Sequence, residues 1–134
     1  MKYIVTGGAG FIGSNLVDLL IDEGHQVDVI DNLSSGKKEN CNDKAKHHNI
    51  DISDQSNYDT LKKILDKSDG VFHLAALPRV QESIDNPLHF EKNNTLSTIN
   101  ILKACADMNV KRLVYSASSS AYGNTINLPS KEED

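Results

Sequence analysis

The chain has 134 residues, with 14 Lys or Arg against 19 Asp or Glu, so its formal net charge is −5. This acidic balance argues against a surface for nucleic acid or anionic lipid, and no apolar stretch approaches membrane-spanning length. The length suits one domain with a sizeable core. The two cysteines have no zinc spacing and form no disulfide framework, so we expect no metal site and a reducing, cytoplasmic setting.

The first predicted element is a strand over residues 2–6 that runs directly into glycines, followed by a helical pattern over 11–23. The glycines are Gly7, Gly10 and Gly13. In a strand–turn–helix, the first glycine permits a tight turn, the second leaves room for a phosphate, and the third lets the helix pack closely. The head of the helix offers unpaired N–H groups to an anion. The pattern therefore predicts a pyrophosphate site.

The second predicted strand, 26–30, ends at Asp31, about twenty residues beyond the glycine turn, where a dinucleotide fold places a carboxylate on the adenosine ribose. The same carboxylate would repel the extra 2′-phosphate of NADP. The nearest cations, Lys37 and Lys38, lie further along a loop. These features favour NAD, although a polar residue that merely ends a strand remains an alternative for Asp31.

The rest of the chain continues the alternation of strand and helix. Further strands are predicted at roughly 46–50, 70–74 and 111–115, helices at about 55–66 and 88–108, and a shorter helical turn near 79–85. The third strand is the weakest prediction because its first four residues are polar. Right-handed crossovers then predict an α/β protein, a doubly wound parallel sheet (Rossmann fold) with strand order 3-2-1-4-5.

Ligands of such a sheet bind outside the carboxyl ends of its strands, where the strand order reverses. We therefore expect the segments that follow the strands to line one crevice. Ala75 and Ala76 are small enough to let a cofactor lie across the sheet. Asp51 can accept from the adenine amino group while Ile52 packs on the ring, and a solvated turn acid is the alternative for Asp51. His73 is expected to be a packed core histidine.

Five segments carry a resemblance to a known family. They are Thr-Gly-Gly-Ala-Gly-Phe-Ile-Gly (6–13), Asp-Asn-Leu-Ser-Ser-Gly (31–36), His-Leu-Ala-Ala (73–76), Asn93-Asn94 and Ser-Ser-Ser-Ala-Tyr-Gly (118–123). The chain resembles the extended short-chain dehydrogenases/reductases, in particular NAD-dependent nucleotide-sugar epimerases and dehydratases of the UDP-glucose or UDP-N-acetylglucosamine 4-epimerase kind. The likeness covers essentially every residue.

Pattern and resemblance together predict that NAD is bound by residues from the strand ends, the glycine turn and the long helix. These residues are Gly7, Gly10, Phe11, Ile12, Gly13, Asp31, Asn32, Ser35, Gly36, Asp51, Ile52, Leu74, Ala75, Ala76, Asn94 and Ser116.

The resemblance implies that the catalytic hydroxyl is Ser118, which would bond the C4 oxygen of a UDP-sugar. Neighbouring serines, Ser119 among them, are alternatives, because serines after a strand also cap turns. The resemblance implies that Arg79 replaces a pyrophosphate-binding lysine or faces the substrate; a solvated loop charge is the alternative. Gln81, Ser83 and Ser119 are softer substrate-side assignments.

The resemblance also implies a Tyr-X-X-X-Lys pair on a helix after residue 123, and we expect Tyr3, Tyr58, Tyr115 and Tyr122 not to supply it. Residues 1–134 are accordingly expected to form an incomplete NAD-binding domain, ending before the sixth strand and the substrate domain. Alone, the chain is expected to be inactive. Family members often dimerise through the helix predicted at 88–108.

The expected reaction of the parent protein is 4-epimerisation, in which hydride leaves C4 of a UDP-hexose for NAD and returns to the opposite face. A nucleotide-sugar 4,6-dehydratase or UDP-uronate decarboxylase is the enzymatic alternative. Those enzymes tend to carry an acid where this chain has Ser118-Ser119-Ser120. A non-catalytic NAD sensor is an alternative of another class, because fold alone does not fix function.

Overall fold

The computed structural model describes residues 1–124 and 128–133 and contains a five-stranded parallel sheet. Its strand order is β3-β2-β1-β4-β5, so the predicted Rossmann topology is confirmed. The strands are Lys2–Thr6 (β1), Gln26–Ile30 (β2), Lys46–His48 (β3), Gly70–His73 (β4) and Leu113–Tyr115 (β5).

The helices follow the strands in the predicted alternation. They are Phe11–Asp22 (α1), Tyr58–Leu65 (α2), Val80–Asp85 (α3), Pro87–Phe90 (α4) and Ser97–Asp107 (α5). Short 3₁₀ turns occupy Lys38–Asn40, Gln55–Asn57 and Ser119–Tyr122. The helix predicted over 88–108 begins at Pro87 and contains a wider π-helical segment, Glu91–Leu96. Within residues 1–124 and 128–133, no helix has the length and apolarity that a membrane crossing requires.

The helices cover the two faces of the sheet and create two apolar clusters. On one face, Val17 and Leu20 of α1 pack against valines of β1 and β2. On the other, Leu61 of α2 and Ile101 of α5 pack with Ile4 of β1. Because the central strands are buried on both faces, they read as nearly continuous apolar runs in the sequence.

The third strand is polar because it lies at the edge of the sheet. Its Lys46 and His47 are exposed, and it pairs on one side only, with β2. His48 turns inward, where its Nε2 lies 2.9 Å from a carboxylate oxygen of the buried Asp28. An edge strand with charged or polar side chains resists pairing with other chains, so its weak apolar pattern has a physical reason.

At two positions of the glycine turn between β1 and α1, neighbouring backbone atoms leave no room for a side chain. Gly7 has a φ of +71°, and a Cβ there would lie 2.8 Å from the backbone nitrogen of Ala75. A Cβ on Gly13 would lie 2.1 Å from the carbonyl oxygen of Gly7. The start of α1 therefore rests directly on the turn, and the turn rests on the segment after β4.

We predict that Gly13→Ala lowers the free energy of unfolding by about 2–3 kcal/mol, since the clash outweighs alanine's better helix propensity. Gly10→Ala is the matched control, because a Cβ there would meet the Gly7 oxygen at 3.2 Å and needs only a small adjustment. Urea unfolding of both variants measures the difference. Equal stabilities for the two variants would contradict the packing described for this turn.

Candidate active site

A crevice opens at the carboxyl ends of the strands, where the chain leaves β1 and β4 in opposite directions. It is lined by Gly7, Gly10, Ile30, Asp31, Asn32, Ser34, Ser35, Gly36, Ile50, Asp51, Ile52, Leu74, Ala75, Ala76, Leu77, Asn93 and Ser97. These residues come from five separate segments, which the parallel topology brings together at one edge of the sheet.

Most of the residues assigned to NAD from the sequence line this crevice, and their roles there stay predictions. Those outside its lining are Phe11, Ile12, Gly13, Asn94 and Ser116, and so are the substrate-side residues Arg79, Gln81, Ser118 and Ser119. The crevice lining also contains six residues that were not assigned to a ligand from the sequence: Ile30, Ser34, Ile50, Leu77, Asn93 and Ser97. For Asn93 and Ser97, their spacing of four residues on a predicted helix was the available signal, because such residues share a face.

The head of α1 borders the crevice with free backbone donors. The first bond within the helix runs from Ser14 N–H to Gly10 O at 3.0 Å, so the N–H groups of Phe11, Ile12 and Gly13 precede it. Gly10 brings no side chain to cap them. These N–H groups and the positive end of the helix dipole suit a phosphate, while the side chains of Phe11 and Ile12 are exposed.

Asp31 is held in place by backbone N–H groups. Its Oδ2 accepts from Ala9 at 3.0 Å, and its Oδ1 accepts from Leu33 at 2.8 Å. A carboxylate has about four acceptor positions, so each oxygen keeps capacity for a ligand hydroxyl. The carboxylate is thus oriented before any ligand arrives.

The loop after β2 is fastened to the glycine turn at Ala9. Besides its bond to Asp31, Ala9 accepts at its carbonyl oxygen from Lys37 N–H at 3.1 Å and from Asn40 Nδ2 at 3.0 Å. Gly36 lies against the same point, and a Cβ there would be 2.8 Å from that of Ala9. Neither Ala9 nor Asn40 was assigned from the sequence, because Ala9 makes these contacts through its backbone amide and carbonyl, which leave no residue pattern.

The segment after β3 is fixed from within and from α5. Asp51 Oδ1 accepts from Ser53 N–H at 2.8 Å and from Ser53 Oγ at 2.6 Å, so this acid closes a local turn while lining the crevice. Asn100, buried on α5, donates to the carbonyl of Ile52 at 2.8 Å. Both alternatives for Asp51, turn acid and crevice residue, are therefore compatible with its position.

His73 is buried beneath the crevice at the end of β4. Its Nδ1 lies 2.7 Å from Thr6 Oγ1, and its Nε2 lies 2.9 Å from Thr98 Oγ1. Burial lowers the pKa of His73 from 6.5 to about 4, because charging the ring inside the protein is costly. The imidazole is neutral near pH 7.

A second cleft lies beside the crevice, between the loop after β4 and the helices that follow. Asn94 stands between the two: its Oδ1 accepts from Leu77 N–H at 2.8 Å, and its Nδ2 donates to Leu77 O at 3.0 Å. Arg79 lines the cleft and bonds Glu82 at 2.6 Å. Gln81 bonds Asp85 at 3.4 Å. The arginine is mostly exposed, so its charge is available to a ligand at the cost of this surface ion pair.

The serine segment after β5 lies at the surface. The Oγ of Ser118 accepts from Ser120 N–H at 3.2 Å and caps the turn Ser119–Tyr122. The turn-capping role considered for its neighbours is thus performed by Ser118 itself. Ser116 and Ser119 are also exposed.

One expectation about the tyrosines was wrong. Tyr58 and Lys62 have the Tyr-X-X-X-Lys spacing, which we expected no tyrosine of this chain to supply. They lie on α2, outside the crevice lining: the Tyr58 hydroxyl donates to Asp107 at 2.9 Å, and Lys62 Nζ stands 5.3 Å from the Tyr58 ring. A second cation, Lys103, lies equally close to that ring. The pair ties α2 to α5 and faces no crevice residue, so the spacing here is structural.

Comparison with known proteins gives one consistent result. The sequence model of the NAD dependent epimerase/dehydratase family matches residues 3–134. A UDP-glucose 4-epimerase of Lactobacillus helveticus is 42% identical over 135 residues, which is 99% of this chain and 40% of that protein.

Solved structures agree. A UDP-N-acetylglucosamine 4-epimerase of Methanobrevibacter ruminantium M1, in complex with UDP-N-acetylmuramic acid, superposes with a TM-score of 0.86 and 43% identity, covering 99% of this chain and 43% of the other. A UDP-glucose-4-epimerase of Stenotrophomonas maltophila, with bound NAD and formylated UDP-arabinopyranose, superposes with a TM-score of 0.87 and 32% identity. That match covers 98% of this chain and 41% of the other. The chain thus spans about two fifths of the length of these relatives.

We predict that stability falls as the pH is lowered from 6.5 to 4 in a way that depends on His73. The unfolded imidazole takes up a proton below about 6.5, whereas the folded one does so only near 4, so the folded state loses roughly 3 kcal/mol across this window and nothing above it. Urea unfolding at pH 7 and pH 4 measures the loss. In His73→Gln, which has no ionisable group, the decline should be smaller by that amount; equal declines would contradict the assignment.

Proposed function

Since the chain belongs to the NAD dependent epimerase/dehydratase family, we propose that it forms the NAD-binding part of a nucleotide-sugar 4-epimerase. The observation that carries this proposal is the crevice itself. The carboxylate of Asp31 is held in a fixed orientation near the start of α1, whose first N–H groups are free. The small residues Ala75 and Ala76 line the same crevice.

The proposed cofactor arrangement follows the sheet edge. Asp31 accepts from the adenosine ribose hydroxyls, with Asn32, Ser35 and Gly36 around them, while the N–H groups of residues 11–13 bind the pyrophosphate. Asp51 and Ile52 border the adenine. The other half of the dinucleotide lies over Leu74, Ala75 and Ala76, within reach of Ser116, and Asn94 supports that wall through Leu77. A carboxylate at the ribose disfavours the 2′-phosphate of NADP.

The proposed reaction is the epimerisation of a UDP-hexose at C4 by the whole protein. When bound, NAD supplies the acceptor and later the donor of one hydride at that carbon. The part assigned to this chain is to hold the cofactor and to place the Ser118 hydroxyl on the C4 oxygen, where charge develops as the alcohol becomes a ketone. Arg79, Gln81 and Ser119 would contact the substrate, and the second cleft beside Arg79 supports that assignment.

Two rival functions make different demands on the same residues. A 4,6-dehydratase or uronate decarboxylase is less well supported, because residues 118–120 are all serine and offer no acid. A non-catalytic NAD sensor would need the crevice but has no use for a serine that reaches a sugar oxygen.

A homodimer through the helical stretch beginning at Pro87 is also part of the proposal. Its apolar side chains Leu88, Ile99 and Leu102 are exposed at 84%, 53% and 50%. A second copy of the same helices would cover such a face.

We predict that the chain binds NAD more tightly than NADP and that Asp31→Asn narrows this difference. Loss of a charge-assisted hydrogen bond should weaken the binding of NAD by about ten- to a hundredfold. The binding of NADP should suffer less, because the variant no longer repels its 2′-phosphate. Calorimetric titration with both dinucleotides measures the ratio. Glu39→Gln, which removes an exposed charge paired with Lys37 in the same loop, is the matched control and should leave the ratio unchanged. An unaltered ratio in Asp31→Asn would remove Asp31 from the proposed role.

We also predict no measurable epimerisation of UDP-glucose or UDP-N-acetylglucosamine by these 134 residues alone. No Tyr-X-X-X-Lys pair follows Tyr122, and loss of a catalytic base typically costs about 10²–10⁴ in rate. A coupled assay for the 4-epimer tests this expectation. Turnover would show that the base lies elsewhere, and Tyr58→Phe would then be the first variant to examine.

A further inference from the structure

Three hydrogen-bond partners surround the hydroxyl of Thr6 at the end of β1. The N–H groups of Leu74 and Ala75 both lie 3.2 Å from Thr6 Oγ1, and His73 Nδ1 lies 2.7 Å away. A backbone N–H can only donate, so the hydroxyl accepts from both groups, and Leu74 shares its N–H with the Thr6 carbonyl oxygen, also 3.2 Å away. The other side of the ring sets the direction, because Thr98 gives its one hydroxyl proton to the carbonyl of Asn94 and can only accept from Nε2. Nδ1 of the neutral ring must therefore accept the proton of the Thr6 hydroxyl.

This fixes the tautomer of the imidazole and the direction of every bond beyond it. With Nδ1 as acceptor, the proton of the neutral ring sits on Nε2 and donates to Thr98 Oγ1 at 2.9 Å. The hydroxyl of Thr98 then donates to the carbonyl of Asn94 at 2.6 Å. Thr6 and His73 have at most 1% of their surface exposed, so water does not compete for these positions.

The chain of bonds joins both ends of one wall of the crevice. At one end, Thr6 holds Leu74 and Ala75, the segment against which the glycine turn packs. At the other end, the residue that accepts from Thr98 is Asn94, whose side chain holds both backbone polar groups of Leu77. A single imidazole therefore stands between the two supports of residues 74–77.

We propose that His73, locked as its Nε2–H tautomer, is a positioning residue for the half of the dinucleotide that lies beyond the pyrophosphate. This inference rests on the proposed NAD binding. Asp31 follows β2, on one side of β1, whereas residues 74–77 follow β4, on the other side. The adenosine half therefore lies over β2 and β3, and the wall that His73 supports faces the other half. Disturbing His73 should weaken binding of NAD and spare that of ADP, which carries only the adenosine and pyrophosphate part.

The two ends of the imidazole can be tested separately with His73→Asn and His73→Gln. The asparagine amide oxygen can stand near the place of Nδ1 and accept from Thr6, whereas the glutamine amide nitrogen can stand near the place of Nε2 and donate to Thr98. Each variant loses one bond, so we expect NAD to bind about three- to tenfold more weakly and ADP to bind unchanged. Thr98→Val should give the same selective loss, and Thr98→Ser, which keeps the hydroxyl, should restore wild-type affinity.

The outcomes decide the proposal. A selective loss for NAD with rescue by Thr98→Ser supports it. Equal losses for NAD and ADP would show a general loss of structure and overturn it, as would unchanged affinity for both ligands.

A ligand-free measurement keeps the two proposals distinguishable. If the wild-type chain binds neither NAD nor ADP, the proposed function fails, and amide hydrogen exchange then tests His73 alone. Faster exchange at Leu74 and Ala75 in His73→Gln than in His73→Asn supports the directed chain, since only the glutamine variant leaves the Thr6 proton without its acceptor. Equal exchange in the two variants overturns it. The ¹⁵N shifts of the imidazole add a direct check, because protonation at Nδ1 in the wild-type protein would also overturn the proposal.

Discussion

The structure depends on one close approach, that of the glycine turn to the backbone after β4. Gly7 lies so near Ala75 that no side chain fits between them, and Gly13 sets the start of α1 on the carbonyl of Gly7. This contact fixes where the helix head opens and how far the crevice extends across the sheet. The backbone of Leu74 and Ala75 therefore belongs both to the packing of the turn and to the lining of the crevice.

Around this contact, hydrogen bonds from residues outside the lining hold several segments of the crevice in place. Ala9 fastens the loop after β2, Asn100 fastens Ile52, and Asn94 fastens Leu77. Side chains that fix backbone in this way leave the crevice surface free for a ligand. They also keep its shape before binding, which reduces the ordering cost that a ligand must overcome.

The fold was predictable because short stretches of the sequence each specify one element, and the alternation of strand and helix repeats along the chain. Apolar runs at β1, β2 and β4 and a helical period in α1 and α2 each specify an element, and crossover handedness then leaves few topologies. The segments of the crevice were predictable by the same rule, since strand ends share one edge. Asp31 and the glycines could be assigned singly because their chemistry needs those residue types.

The supports of the site were less predictable. The bonds of Ala9 use its backbone atoms, which have no sequence signature, and the sequence did not show which of the adjacent Asn93 and Asn94 lines the crevice. Spacing alone also does not identify a catalytic pair: Tyr58 and Lys62 have that separation, but Tyr58 bonds Asp107 of α5 and Lys62 pairs with Asp59 of its own helix. The roles of such residues can be assigned only from the contacts that they make in the structure.

The role of Ala9 has a consequence for how this protein is studied by mutagenesis. The point that ties the loop after β2 to the glycine turn is an alanine, and all three of its bonds run through its own amide and carbonyl. An alanine scan would therefore pass over it without registering any contribution. A backbone change, such as replacing the amide of residue 9 by an ester, is the kind of chemistry that would reveal it.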